Sequence, residues 1–253
     1  MNNAIISGDQ LTFLDQRFYH KDGQFCPSIT TILEAYPKSY GFYKWLKENG
    51  EDADKIRDAA GQRGSTVHML TEKLDQGLTV NLINEQGIQN FSVSEWAMFT
   101  RYVEFRNMYK DTIKVDESSI EMRLIDLELK EAGTVDRIMI INGAPYIVDI
   151  KTSNNIWDSY WLQVAAYRRL FERSSGLPVA GVGILWLNAR TRGPRKGEIQ
   201  GEGWQLLLKE DTSHELDLFE CTKKLWIEQN KTTTPKNVSY KLSHSLSKEL
   251  APA

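Results

Sequence analysis

Asp136 and Asp149, with Lys151 two residues beyond the second, have the types and spacing for metal-assisted chemistry on a phosphate ester. Asp136 closes a G-T-V-D run that starts at Gly133, and Asp149 opens D-I-K. Both lie in β-branched, apolar stretches, residues 133–141 and 146–151, flanking Asn142-Gly143. That dipeptide is the strongest short hairpin signal, because a type I′ turn needs φ > 0 at both central residues. If it is the turn, the aspartates sit directly opposite, Cβ atoms about 4.5–5.5 Å apart, and Lys151 points to the same face. A longer loop over 142–145, which Pro145 keeps open, makes them diagonal neighbours instead. Either register leaves both carboxylates within reach of one cation.

Two like charges so close are costly unless a cation neutralises them. Hard divalent ions such as Mg²⁺ suit this arrangement, combining one or two carboxylates with water and substrate phosphate oxygens. Such an ion polarises a phosphoryl group and lowers the pKa of bound water. A lysine beside it can orient that water or stabilise developing negative charge. The bland alternative is an edge hairpin with a solvated charge cluster. An isolated D-x-K favours that alternative; the whole constellation does not.

The surrounding pattern predicts the elements that must hold these residues. Residues 11–26 read as short strands around a turn at 21–24, and Ser28 can cap a helix that Pro37 stops. Tyr40, Phe42, Tyr43, Trp45 and Leu46 form a helical aromatic patch, expected as helix core, with base stacking as the functional alternative. Residues 53–75 predict one helix, or two joined near 61–64, with an apolar stripe of Val67, Leu70 and Leu74. His68 lies one residue off that stripe, with Glu72 on its face. Arg63 is read equally as a phosphate contact or a surface charge. Ser92 and Glu95 have capping-box spacing ahead of a helix with Trp96, Phe99, Val103 and Met108 at apolar positions. One or two strands over 112–129 lead into the hairpin.

Residues 154–173 follow as a helix, with Trp157, Trp161, Val164 and Phe171 as core. Gln163 and Tyr167 share one face, and Arg168, Arg169 and Arg173 are expected toward solvent or DNA. Residues 179–187 read as a buried central strand. Arg190, Arg192, Arg195 and Lys196 make a basic loop fit for phosphate contact. A strand over 204–208, a helix over 213–229 and a polar tail over 231–253 complete the chain.

Taken in order, G-T-V-D, D-I-K and Q-V-A-A-Y (Gln163 to Tyr167), preceded by G-S-T-V-H ending at His68, resemble the PD-(D/E)XK nuclease superfamily, RecB-type branch. P-S-I-T-T-I-L from Pro27 is similar to the opening motif of mitochondrial genome maintenance exonuclease and related phage exonucleases. The resemblance covers about residues 27–187. It implies an α/β (α+β) fold of restriction-endonuclease type, a mixed sheet flanked by helices, with an N-terminal helical arch beside the site. It implies Mg²⁺ or Mn²⁺ held by His68, Asp136, Asp149 and the Ile150 main-chain carbonyl, with Glu121 as a further candidate ligand. Asp136, Asp149 and Lys151 would be catalytic. Gln163 and Tyr167 would line the site, contacting the DNA or bracing the catalytic lysine; Ser28, Arg63 and the basic loop are further candidate nucleic-acid contacts.

The expected function is thus a metal-dependent DNA exonuclease acting on single strands or ends. The alternatives are a structure-specific endonuclease or nuclease subunit of a recombination or repair complex, and a non-catalytic DNA-end-binding or virion-associated module. Partners would be DNA and, for some members, further copies of the chain or a recombination protein.

Composition bounds rather than decides the function. The chain has 253 residues, 41% hydrophobic, and a net charge of −3. This predicts one integrated domain: an N-terminal hairpin and helical portion over 1–110, a nuclease core over 111–230 and the tail. Mild acidity argues against a protein that coats nucleic acid generally, while local positive charge and a metal can still hold a phosphate backbone. Cys26 and Cys221 cannot supply the four thiolates of an iron–sulfur cluster, and both are expected as small buried hydrophobes. No run approaches the roughly 20 apolar residues of a membrane span, and the first ten residues do not resemble a secretory signal. The expectation is a cytoplasmic protein of a bacterial or phage-infected cell.

Overall fold

The computed structural model describes residues 9–13, 16–189, 191–192, 199–200, 202–232 and 235. Strands β1 (Asp9–Phe13), β2 (Gln16–Lys21) and β3 (Gln24–Pro27) form an antiparallel meander. Asp22 and Gly23 turn β2 into β3 with φ of 49° and 75°, as a type I′ turn requires. Ser28 caps the short helix α1 (Ile29–Ile32), its Oγ accepting from the Thr31 amide at 3.0 Å. Helices α2 (Tyr40–Asn49) and α3 (Asp52–Asp75) follow, α3 continuing through Gly61 and Gly64 without a break. Helix α4 (Val93–Met108) opens on a reciprocal Ser92–Glu95 capping box.

The remaining strands are β4 (Ile113–Val115), β5 (Met122–Asp126), β6 (Glu131–Val135), β7 (Arg137–Ile141), β8 (Ala144–Lys151) and β9 (Gly181–Trp186), then β10 (Thr191–Arg192), β11 (Ile199–Gln200) and β12 (Gln205–Lys209). Helix α5 (Asp158–Ser175) joins β8 to β9, and α6 (Ser213–Gln229) follows β12. The central sheet has five strands in the order β12-β9-β8-β7-β4. It is mixed: β8 and β9 run parallel across α5, and the other pairs are antiparallel. The fold is a mixed α+β architecture, this sheet flanked by helices. One core layer packs α1, α5 and α6 against it through residues such as Ile29, Leu170, Val182 and Phe219. A second packs α3 and α4 through Val67, Tyr102, Phe105, Val148 and Leu185.

The hairpin register is that of the two-residue turn. Asn142 and Gly143 have φ of 50° and 86°, and Arg137 pairs with Val148. The β-branched stretch over 133–141 forms two strands. β6 pairs with β5 in a separate ribbon, β7 pairs with β8, and the chain changes sheets at Asp136.

Four burial expectations fail. Helix α2 buries none of its residues fully: Tyr40 and Tyr43 are exposed, and Phe42, Trp45 and Leu46 are half-buried. Trp157 precedes α5 as its N-cap and is exposed, as is Met108 in the last turn of α4, where Met98, Phe99, Tyr102 and Phe105 face inward instead. Cys26 is buried but Cys221 is exposed on α6. Of the arginines expected toward solvent or DNA, Arg173 is exposed while Arg168 and Arg169 are half-buried, and all three are ion-paired. Arg168 is held by Glu172 and by the Glu210 and Val179 carbonyls, Arg169 by Glu131 and Glu220, and Arg173 by Asp126 and Glu128. Among the described residues no helix is long and apolar enough to cross a membrane.

Candidate active site

A polar cavity of about 450 Å³ opens where α3 crosses the β6–β8 end of the sheet, and His68, Glu121, Asp136, Asp149, Lys151, Gln163 and Tyr167 all line it. Each arrives by a local device. His68 is carried by α3, whose buried stripe of Val67, Leu70 and Thr71 fixes the helix rotation. Gly64, one turn earlier, permits the close crossing: a Cβ there would meet Thr152 Oγ1 at 3.2 Å.

Asp136 occupies the break between β6 and β7. Its Oδ2 accepts the Ile150 amide at 2.7 Å, so the side chain takes a hydrogen bond that a continuing ladder would have used. Glu121 precedes β5 with φ of 50°, a left-handed conformation uncommon for a residue with a side chain. Its amide donates to the Asp136 carbonyl at 3.0 Å.

Two groups of side chains share the cavity. In the first, ligand-type atoms of His68, Glu121 and Asp136 lie within 4.8 Å of one another. His68 Nδ1 is 3.4 Å from Asp136 Oδ2 and 3.9 Å from Glu121 Oε1. In the second, Lys151 Nζ lies 2.6 Å from Asp149 Oδ2 and donates to Gln163 Oε1 at 2.9 Å. Gln163 Nε2 donates back to Asp149 Oδ1 at 2.9 Å and lies 3.1 Å from the Tyr167 hydroxyl. Tyr160 places its ring 4.5 Å from Lys151 Nζ. Gln163 thus fixes the acid and the lysine relative to each other, which is why the glutamine and tyrosine are one helical turn apart.

All four expected side-chain ligands thus line one cavity. Glu121 stands beside His68 and Asp136, while Asp149 turns toward Lys151.

The electrostatics follow from burial. Asp149 is 2% exposed and Asp136 7%. Burial and the neighbouring Asp136 raise the Asp149 pKa to about 6 against the opposing pull of Lys151. Burial likewise raises Asp136, opposed by His68. For His68 burial alone would lower the pKa, but Asp136, Glu121 and Asp149 together lift it to about 9. Lys151 is raised by Asp149 and Asp136 over the opposing effect of burial.

Asp149 Oδ2 is sealed from solvent and, although ion-paired, lacks a hydrogen bond of proper geometry among the described residues. An imidazole, a carboxylate pair and an under-satisfied third carboxylate oxygen form an N/O donor set of the kind that holds a divalent cation.

Other expected contacts are elsewhere. Ser28 is consumed as a helix cap, its hydroxyl bonded to Thr30 and Thr31, and it does not line the cavity. Arg63 does not line it either; its charge acts on Glu95 of α4. Arg190, Arg195 and Lys196 lie outside the described residues, as does the Arg192 side chain. The cavity is also lined by Thr30, Ser65 and Thr134, which fall within the sequence motifs, by Glu72 on the His68 face, and by Arg17, which lies in none of them. Arg17 is exposed at the rim, and its amide and carbonyl are bound by the Thr31 hydroxyl. In comparisons with models of protein families and with curated proteins, nothing matches this chain.

Proposed function

We propose that this protein is a Mg²⁺- or Mn²⁺-dependent nuclease of the PD-(D/E)XK type that hydrolyses DNA phosphodiester bonds, working on single strands or ends in the cytoplasm. The observation that carries the reading is the juxtaposition of the His68–Glu121–Asp136 cluster with the Lys151–Asp149–Gln163 chain in one cavity. The four carboxylates that line it, Glu72, Glu121, Asp136 and Asp149, would repel a phosphate backbone unless a cation intervened. A bound Mg²⁺ or Mn²⁺ supplies Lewis-acid activation of the phosphoryl group and of water.

The chain's own residues do the rest. His68, Glu121, Asp136 and Asp149 bind the ion. The Ile150 carbonyl leaves β8 on the same edge as its amide, toward Asp136, and is a further ligand. Lys151, steadied by Gln163, orients the attacking water and steadies negative charge on the phosphate. Arg17 at the rim is placed for an adjacent phosphate. The exposed rings of Tyr40 and Tyr43, with Trp157 beside Phe42 across a smaller cavity, suit unpaired bases, each stack being worth about 1–3 kcal/mol.

The test is incubation of purified protein with end-labelled linear and circular single-stranded DNA, in Mg²⁺ or Mn²⁺ and in EDTA, beside Lys151→Ala. Metal-dependent loss of linear DNA alone, abolished by Lys151→Ala, is the expected result. Cutting of circles would make the protein an endonuclease, and DNA binding with no cleavage would make it a binding module. Full activity of Lys151→Ala would remove the lysine from the mechanism.

A further inference from the structure

Arg137 follows Asp136 and is the largest fully buried side chain among the described residues, with no solvent exposure. A charge so placed is costly unless it is paired and hydrogen-bonded, and this one finds four partners. Nε donates to Asp75 Oδ2 at 2.7 Å, and Nη2 to Thr71 Oγ1 at 3.2 Å, both on α3. Nη1 donates to the Asp136 carbonyl at 2.6 Å and reaches Glu121 Oε1 at 3.4 Å. One planar group therefore ties the helix that carries His68 to both acids beside that histidine.

The Asp136 carbonyl is clamped twice, by Arg137 and by the Glu121 amide, and the second clamp holds Glu121 in its left-handed conformation. Asp75 itself is shared. Arg106 and the Tyr102 hydroxyl from α4 also bind it, so the network continues away from the site.

We infer that Arg137 is a positioning residue for the candidate metal centre, holding Glu121, Asp136 and α3 in the geometry that lets His68 and the two carboxylates act on one ion. The inference rests on the metal-binding reading of this site, though not on cleavage. Arg137 touches no substrate and acts through the groups it orients. Its positive charge opposes that of a bound cation, but Asp75 at 2.7 Å offsets it, so loss of the brace outweighs loss of the repulsion. Removing partners that orient metal ligands typically weakens affinity by about 10–100-fold.

The experiment is Mn²⁺ titration calorimetry on the full chain, with melting temperatures, for wild type, Arg137→Met and Arg106→Met. Both substitutions remove one cation from Asp75, and each leaves it two partners: the other arginine and Tyr102. Only Arg137 contacts Glu121 and Asp136. Positioning predicts at least about 10-fold weaker Mn²⁺ binding in Arg137→Met and less than about 2-fold change in Arg106→Met, although both lower the melting temperature. Equal weakening in both, or none in Arg137→Met, would overturn it.

If Arg137→Met does not fold, Arg137→Lys serves. It keeps the buried charge for Asp75, but an ammonium cannot span Asp75, Glu121 and the Asp136 carbonyl together. Wild-type Mn²⁺ affinity in that variant sinks the inference. Wild-type protein that binds no Mn²⁺ at all would instead refute the metal reading itself.

Discussion

Replacing Gly133 by alanine adds one methyl group and should disable the site from behind. The backbone at Gly133 is not in the left-handed region, so conformation alone does not forbid the change. The obstacle is Tyr167. A Cβ on Gly133 would lie 2.4 Å from its Cε1, 3.2 Å from Cδ1 and 3.3 Å from Cζ. Carbon atoms rest at about 3.5–4.0 Å, so ring and strand must part by about 1 Å. The ring is 4% exposed, packed in the core against α5 neighbours, and its hydroxyl lies 3.1 Å from Gln163 Nε2. It cannot yield freely. Overpacking of this kind costs about 1–3 kcal/mol, and for a domain of this size each kcal/mol lowers the melting temperature by about 2–4 °C. Gly133→Ala should therefore melt roughly 2–12 °C below wild type.

The displacement should also travel through Gln163 to Lys151 and Asp149, so cleavage falls by more than the loss of folded protein explains. The control is a double-mutant cycle on Tyr167→Val, read by thermal and denaturant unfolding. Without the ring, Gly133→Ala should cost less than about 0.5 kcal/mol, giving a coupling of at least about 0.5 kcal/mol. An equal penalty in both backgrounds would refute the steric reasoning. So would a Gly133→Ala protein that melts with wild type.

Two further predictions concern charge and the helix frame. In metal-free protein the His68 pKa is raised from 6.5 to about 9 by its acidic neighbours, against burial. The folded state therefore binds that proton more tightly than the unfolded chain, and the associated stability is present below about pH 6.5 and lost as pH rises through about 9. The melting temperature in EDTA should fall across that interval, a decline that His68→Gln abolishes. Mn²⁺ affinity should rise over the same interval because the ion competes with the proton; a melting temperature flat from pH 6.5 to 9.5 would contradict the assignment. Ser92→Ala breaks the capping box of α4 and should cost about 1 kcal/mol, seen as a melting temperature lower by about 2–4 °C. Mn²⁺ affinity should stay within about 2-fold, and a larger drop would show that α4 is coupled to the site.

The parts of this molecule that were legible in its sequence are those decided by neighbours along the chain. The Asn142-Gly143 turn, the Ser92–Glu95 box, the Ser28 cap and the bounds of α6 depend on residues within a turn of one another, and spacing reports them. Gln163 and Tyr167 share a helix face, and Asp149 and Lys151 a strand face, for the same reason. What spacing cannot report is a bond made across the fold. The break at Asp136 exists because its carboxylate captures the Ile150 amide, and nothing in G-T-V-D-R-I announces that capture. Glu121 enters the metal-type cluster through a backbone conformation that sequence gives no reason to expect. The aromatic face of α2 misled in the opposite direction, since rings at helical spacing look like core even where, as for Tyr40 and Tyr43, they stay exposed.

Arg137 is the instructive omission. Hydrophobicity scales score arginine as surface, yet on β7 it shares a face with Met139 and Ile141, both buried in the layer beneath α3 and α4. A charged residue at core parity must either break the strand or find a buried counter-charge. Asp75 offers the matching clue, one helical turn beyond buried Thr71 on α3. Two charges on core faces, far apart in sequence, imply each other by electrostatics even though neither periodicity nor motif links them. Here they meet at 2.7 Å. Buried ion pairs rarely add stability over apolar packing, so this one needs another reason to exist. Holding Glu121 and Asp136 still beside His68 is a reason that the geometry supplies.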